Sequence, residues 1–144
     1  MKKLSVLLLA VALCACGAKA EVKKGTGEAT YDNHGTEAKV TAEVTLEDGK
    51  IKEVKFDETY PDKETGEMST KRTLGEKYDM KKASAIGKEW FEQVDYLQEK
   101  LVGTDGKIAL DETGKATDED VLTGCTINLT NLQAALDDAI ANAK

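Results

Sequence analysis

The stretch AKVTAEVTLEDGKIKEVKF, Ala38–Phe56, decides the fold. Val40, Ala42, Val44 and Leu46 alternate with Lys39, Thr41, Glu43 and Thr45, so an extended chain here has one apolar and one polar face. Asp48-Gly49 separates this run from Ile51–Phe56, and Asp-Gly between two alternating runs is a hairpin signal because glycine accepts positive φ in a tight turn. An earlier strand, Gly27–Asn33, joins it across Asn33-His34-Gly35 to give an antiparallel meander. Downstream the period changes. Ile86, Trp90, Val94, Leu97 and Leu101 recur at steps of three or four, which predicts a helix over Lys82–Leu101 ended by Gly103. Leu129, Leu132, Leu136, Ile140 and Ala143 predict a second helix over Thr130–Ala143. Between these elements, Tyr60–Gly66 holds the only proline and reads as a loop. Arg72–Met80 admits a short helical turn, and Ile108–Leu110 reads as a strand in a turn-rich connection. Strands followed by helices predict an α+β fold: one twisted antiparallel sheet with helices packed on one face, in a single domain over residues 27–144.

The chain start sets the expected compartment. Lys2 and Lys3 precede an apolar run, Leu4–Leu13, of about ten residues, too short for the roughly 20 that span a bilayer as a helix. It reads as a secretory signal, residues 1–15. Its end, Leu13-Cys14-Ala15-Cys16-Gly17, resembles a bacterial lipobox, with a small residue before the cysteine. The resemblance implies cleavage before Cys16, a diacylglycerol on its thiol and acylation of its amine. Gly17–Thr26 then reads as a tether. Loss of Lys2 and Lys3 moves the formal charge from −7 to −9, with 18 basic against 27 acidic side chains. An acidic chain of this kind is not built for nucleic acid, whose phosphates need clustered Lys and Arg. The expected link to the lipid bilayer is the anchor at Cys16 rather than the protein surface. With Cys14 removed and Cys16 lipidated, Cys125 stands alone and no internal disulfide is expected.

The sequence DEDVLTGCTIN, Asp118–Asn128, precedes the last helix and admits two readings. In one, Thr126, Asn128 or Thr130 caps that helix. In the other, Gly124 lets backbone amides approach an anion, the helix start favours negative charge, and the Thr126 hydroxyl forms a phosphoester. The segment resembles the attachment motif of the FMN-binding domain family, Asp-x-x-[Ser/Thr]-Gly-Ala-[Thr/Ser]. Asp120, Thr123, Gly124 and Thr126 match it, and Cys125 stands where alanine is usual. GKIKEVKFDET resembles the family's early hairpin, and YDMKKASAIGKEWFEQVDYLQEKL a helical stretch of its lipoprotein members. That resemblance implies FMN joined through its phosphate to Thr126 by a magnesium-dependent FMN transferase that uses FAD. Asp120, Thr123 and Gly124 would be recognised by that enzyme or line the phosphate, with Cys125 packed as a small hydrophobe. It further implies an extracytoplasmic electron carrier, not an enzyme with its own turnover, fed by a membrane dehydrogenase or quinone system. The alternative is a membrane-anchored binding or surface module of the same fold without covalent flavin.

An isoalloxazine needs an apolar, partly stacked site. Of seven aromatic residues, Trp90 on the apolar stripe reads as core. Phe91, one step off it, is the better groove candidate, and Tyr78 and Met80 fall in a loop. Other chemistry is poorly supported. His34 is a lone turn histidine, no His/Cys spacing suggests zinc, and DETGKATDED lacks the order of a calcium-binding loop. Cys125 near a helix start would be an activated thiol, but no histidine lies near it in sequence.

Overall fold

Two left-handed turns set the sheet. His34 and Gly35 have φ of 53° and 84°, and Asp48 and Gly49 have φ of 51° and 78°. Consecutive positive-φ residues make the tight turns whose twist matches paired strands. They join β1 (Val22–Asn33), β2 (Thr36–Glu47) and β3 (Lys50–Pro61) into an antiparallel meander, extended by a short β4 (Met68–Thr70) in the order β1-β2-β3-β4. Helical turn α1 (Lys71–Leu74) follows, then a 3-10 turn (Gly75–Tyr78), α2 (Trp90–Leu101), the short α3 (Glu119–Leu122) and α4 (Thr130–Ala141). The computed structural model describes residues 17–144. The signal-peptide and Cys16 assignments lie outside the described residues. Among the described residues no helix is long and apolar enough to cross a membrane.

The α+β expectation holds, with four local corrections. First, β1 begins at Val22, not Gly27, so residues 22–26 belong to the sheet rather than to the tether. Glycines at 25 and 27 weaken the strand signal, yet they are there because α4 lies directly on this backbone. A Cβ on Gly25 would sit 2.0 Å from the Ala139 carbonyl oxygen, and one on Gly27 would sit 2.1 Å from the Ala139 nitrogen. Second, β3 continues through Tyr60 and Pro61, which pair with Ser69 and Met68. Third, α2 begins at Trp90, not Lys82. Gly87 turns left-handed with φ of 64°, and the helix starts afresh from a capping box in which the Glu89 amide donates to the Glu92 carboxylate. Fourth, Ile108–Leu110 is not a strand. Only Leu110 forms an isolated bridge, with Ala116.

Val40, Ala42, Val44, Leu46, Ile51, Val54 and Phe56 form the buried sheet face. Ile51 and Val54 are three residues apart, which strict alternation would place on opposite faces. A register shift brings Ile51 opposite Leu46 while Glu53 faces Thr45, so both apolar side chains reach the core. Over this face lie Val94, Leu97 and Leu101 of α2 and Leu132, Ala135, Leu136 and Ala139 of α4. Burying each large aliphatic side chain stabilises the fold by about 1.5–3 kcal/mol.

Both sheet edges are partly covered. On β1, Lys24 exchanges two backbone hydrogen bonds with Lys144, the Asn142 side-chain Nδ2 donates to the Thr26 carbonyl, and the Glu28 backbone amide donates to the Asp138 carboxylate. On β3, Ile51 exchanges bonds with Gly103 and Thr104, and the Phe56 amide donates to Gln98. Each satisfies a backbone group that would otherwise invite a further strand.

Gly27→Ala should lower stability by about 3 kcal/mol, because the new methyl meets α4 backbone that cannot rotate away. Thr26→Ala, one residue earlier and facing solvent, should stay within about 0.5 kcal/mol of wild type. Urea unfolding of the two variants side by side checks this. Equal effects would show that α4 does not rest on β1 at Gly27.

Candidate functional site

The helix layer is shorter than the sheet it covers. Toward the His34 turn the core face carries Tyr31 on β1 and Glu58 on β3, and there the floor opens into a cleft of about 700 Å³. That size is within the roughly 300–1,000 Å³ of small-molecule sites. The α2 start contributes Trp90, and the α4 start contributes Thr130, Asn131 and Leu132. The segment after β4 adds Lys71, Tyr78 and Met80, and Thr126–Asn128 closes the remaining wall with Lys115 beside it. A second depression, of about 570 Å³, lies on the open sheet face between Lys24, Glu43, Glu53, Lys55 and Lys144. Its walls carry surface charges of both signs, and Thr126 does not line it.

Thr126 is half-buried on the cleft wall. Its amide donates to the Oε1 of the fully buried Gln93 at 2.9 Å, while its hydroxyl stands 3.4 Å from the same oxygen. The first is a good hydrogen bond and the second a long one for a hydroxyl, so Gln93 anchors the backbone and leaves Oγ1 weakly held. Gln93 is itself fixed, its Nε2 donating to Ser84 Oγ and to the Lys88 carbonyl.

The other motif residues lie elsewhere. Asp120 on α3 and Thr123 just after it are exposed, away from the cleft lining. The Thr123 hydroxyl donates to the Glu119 carbonyl, and the Asp120 carbonyl accepts from Tyr96 Oη. Gly124 is buried, but the space at its α-carbon is taken by the Tyr96 ring. A Cβ there would lie 2.4 Å from the ring carbons Cγ and Cδ1. The glycine therefore admits an aromatic ring in this structure, rather than holding room for an anion. Cys125 points into the core at 1 % exposure, and burial pushes its thiol up to about 11. The sequence-based suggestion of an activated thiol is reversed: the apolar surroundings disfavour the thiolate more than the chain's local dipoles favour it. Of the capping candidates, Asn128 acts, its Oδ1 accepting from the Thr130 amide and its Nδ2 donating to the Thr113 carbonyl.

Of the expected ring contacts, Trp90 lines the cleft although it is also core, the partly buried Tyr78 and Met80 line it too, and Phe91 does not. Tyr31, Glu58 and Lys71 are the residues that sequence reasoning missed. Lys71 Nζ sits 2.7 Å from Glu58 Oε1, with side-chain exposures of 10 % and 5 %. Tyr31 Oη donates to the same carboxylate oxygen. Burial, and then that hydrogen bond, hold the Tyr31 hydroxyl far above its ordinary range; burial and the nearby Glu58 charge push Tyr78 up to about 12. One signal was available: Glu58 follows Phe56 at inward parity on β3, so a carboxylate faces the core side. Compared with known protein-family models, curated protein sequences and solved structures, the chain matches none.

Chemically, the cleft combines ring faces, the α4 start and the ammonium groups of Lys71 and Lys115 with the Glu58 carboxylate, while the α2 start is already capped by buried Glu89. The α4 start and Lys115 are the groups there that favour an anionic ligand on an otherwise acidic protein.

Gly124→Ala should cost about 1–3 kcal/mol of stability through overpacking against Tyr96. In the Tyr96→Ala background the same substitution should be nearly neutral, a coupling that a double-mutant cycle in urea measures. Additive effects would mean that Gly124 serves something other than the ring. Cys125 should resist iodoacetamide in the native protein at about pH 8 and react only on unfolding. Its raised pKa contributes stability that is present in full below the ordinary value of 9.0 and lost as pH rises toward about 11. The loss of stability across that window should be smaller in Cys125→Ala.

Proposed function

We propose that this chain is an extracytoplasmic electron-transfer lipoprotein that carries FMN in the cleft, esterified through its phosphate to Thr126 Oγ1 and anchored to a bacterial membrane by lipidated Cys16. The observation that carries the reading is the position of Thr126. It is the motif residue whose hydroxyl stands on the wall of the aromatic-lined cleft, next to the α4 start. Thr126 Oγ1 would attack the riboflavin-bearing phosphorus of FAD. A P–O bond to Oγ1 forms, the pyrophosphate bond breaks, AMP departs, and the hydroxyl proton passes to a base of the transferase. Gln93 presents that hydroxyl by gripping the adjacent amide rather than the oxygen itself. Asp120 and Thr123, exposed on and just after α3, offer the transferase a surface to recognise beside the acceptor. The bound flavin would supply the redox chemistry, taking and passing on electrons. Trp90, Tyr78 and Met80 provide ring-sized apolar contacts, and Thr130 and Asn131 place the positive end of α4 toward the phosphate. The electron donor is a membrane dehydrogenase or quinone system.

Residues 17–144 coexpressed with an FMN transferase should become yellow and gain the mass of FMN less one water. The adduct should survive denaturation, persist in Thr126→Ser, and vanish in Thr126→Ala. A colourless, unmodified product with several transferases would overturn the carrier in favour of a binding module. Yellow protein that loses its flavin on denaturation would overturn the ester.

A further inference from the structure

A buried ion pair lies at the inner end of the cleft, outside the attachment motif. Lys71 Nζ is 2.7 Å from Glu58 Oε1, and both side chains are at least nine-tenths buried. The ammonium is surrounded by ring faces, 5.0 Å from the centroid of Tyr78, 5.5 Å from Trp90 and 5.9 Å from Tyr60. Tyr31 Oη donates to the carboxylate from β1. Lys71 lines this cleft and also a smaller hollow of about 420 Å³ near His34, so its side chain stands in the wall between the two.

A pair of this kind adds little to stability, because desolvating two charges offsets most of their attraction. A well-packed apolar pair would hold the same place at no greater cost. Each charge taken alone acts strongly on the cleft, since charges in a low-dielectric wall are weakly screened, and removing one leaves the other uncompensated. The pair presents opposite charges of known position, one held among the rings that a planar ligand would contact.

We infer that the Glu58–Lys71 pair tunes the redox equilibrium of the ligand in this cleft, Lys71 favouring the electron-rich reduced form and Glu58 opposing it. The inference rests on the flavin reading above. Reduction adds electron density to the ring system, and a cation nearby stabilises the product more than the reactant, while an anion does the reverse. The two residues line the cleft with Thr126 but share no hydrogen bond with it, and they act by charge at a distance rather than by bond formation.

The sign of the effect separates this role from a structural one. In the Thr126-loaded protein, Lys71→Met leaves Glu58 unopposed and should lower the reduced-to-oxidised ratio at a given potential about tenfold, roughly 30 mV for a two-electron couple. Glu58→Gln leaves Lys71 unopposed and should raise it by a similar factor. A purely structural pair would loosen the cleft in both variants and move both potentials the same way. Should either single variant fail to fold, the reversed pair Glu58→Lys with Lys71→Glu keeps the ion pair and should lower the ratio. Spectroelectrochemical titration reads these shifts, and thermal melts of the same samples report folding. Loaded wild type whose variants shift together, or do not shift, overturns this inference alone. Wild type that takes up no flavin overturns the carrier reading and this inference with it.

Discussion

The contact on which the rest depends is backbone against backbone: α4 lying on β1 with nothing but glycine hydrogens between them. Two strand residues advance about 6.6 Å and four helical residues about 6 Å. Gly25 and Gly27 therefore meet Ala139 and Ala135 in step along the interface. Small residues on both sides make the approach close, and the closeness lets α4 reach past the strand edge. From there Asp138, Asn142 and Lys144 satisfy the outward backbone groups of β1. One packing decision thus seats the helix, covers part of the sheet edge and fixes the direction in which the α4 start points.

That direction explains why a cleft exists. The α4 start and the α2 start come to the same end of the sheet, and neither covers it completely. The strands run on beneath them, so Tyr31 and Glu58 keep inward parity without a helix overhead. A carboxylate so placed needs a partner, and Lys71 supplies it from the first turn after β4. The cleft is therefore a shortfall in the helix layer. The residues on its floor are polar because the apolar core ends before the sheet does.

Much of the fold was legible because β2 and the hairpin turns carry strong, local signals. The alternation over Val40–Leu46 and the Asp48-Gly49 turn need no tertiary information. What escaped depended on partners far away in sequence. Gly25 and Gly27 look like linker until α4 is placed on them. The stripe that seems to begin at Ile86 stops short because Gly87 turns left-handed and the helix restarts from the Glu89–Glu92 box. At the site, the sequence resemblance points to Thr126 but cannot show that Asp120 and Thr123 face outward while Gly124 receives Tyr96. Trp90 is core, as its place on the apolar stripe predicts, and its role as cleft wall as well was not legible because one residue can be core on one side and wall on the other. The Tyr31–Glu58–Lys71 cluster joins β1, β3 and α1, and only the assembled sheet brings those three positions together.

The length of β1 has a mechanical consequence. Its ladder with β2 runs unbroken from Val22 opposite Glu47 to Asn33 opposite Thr36. The bonds lie across the strands, so tension on the chain ahead of Val22, directed along the strand, loads them all in shear at once. Peeling them one by one would require a sideways pull, and on that flank Lys144 clamps Lys24. A domain tugged by its leading end thereby shares the load over the whole ladder, down to the pair of Tyr31 with Ala38 at the cleft floor.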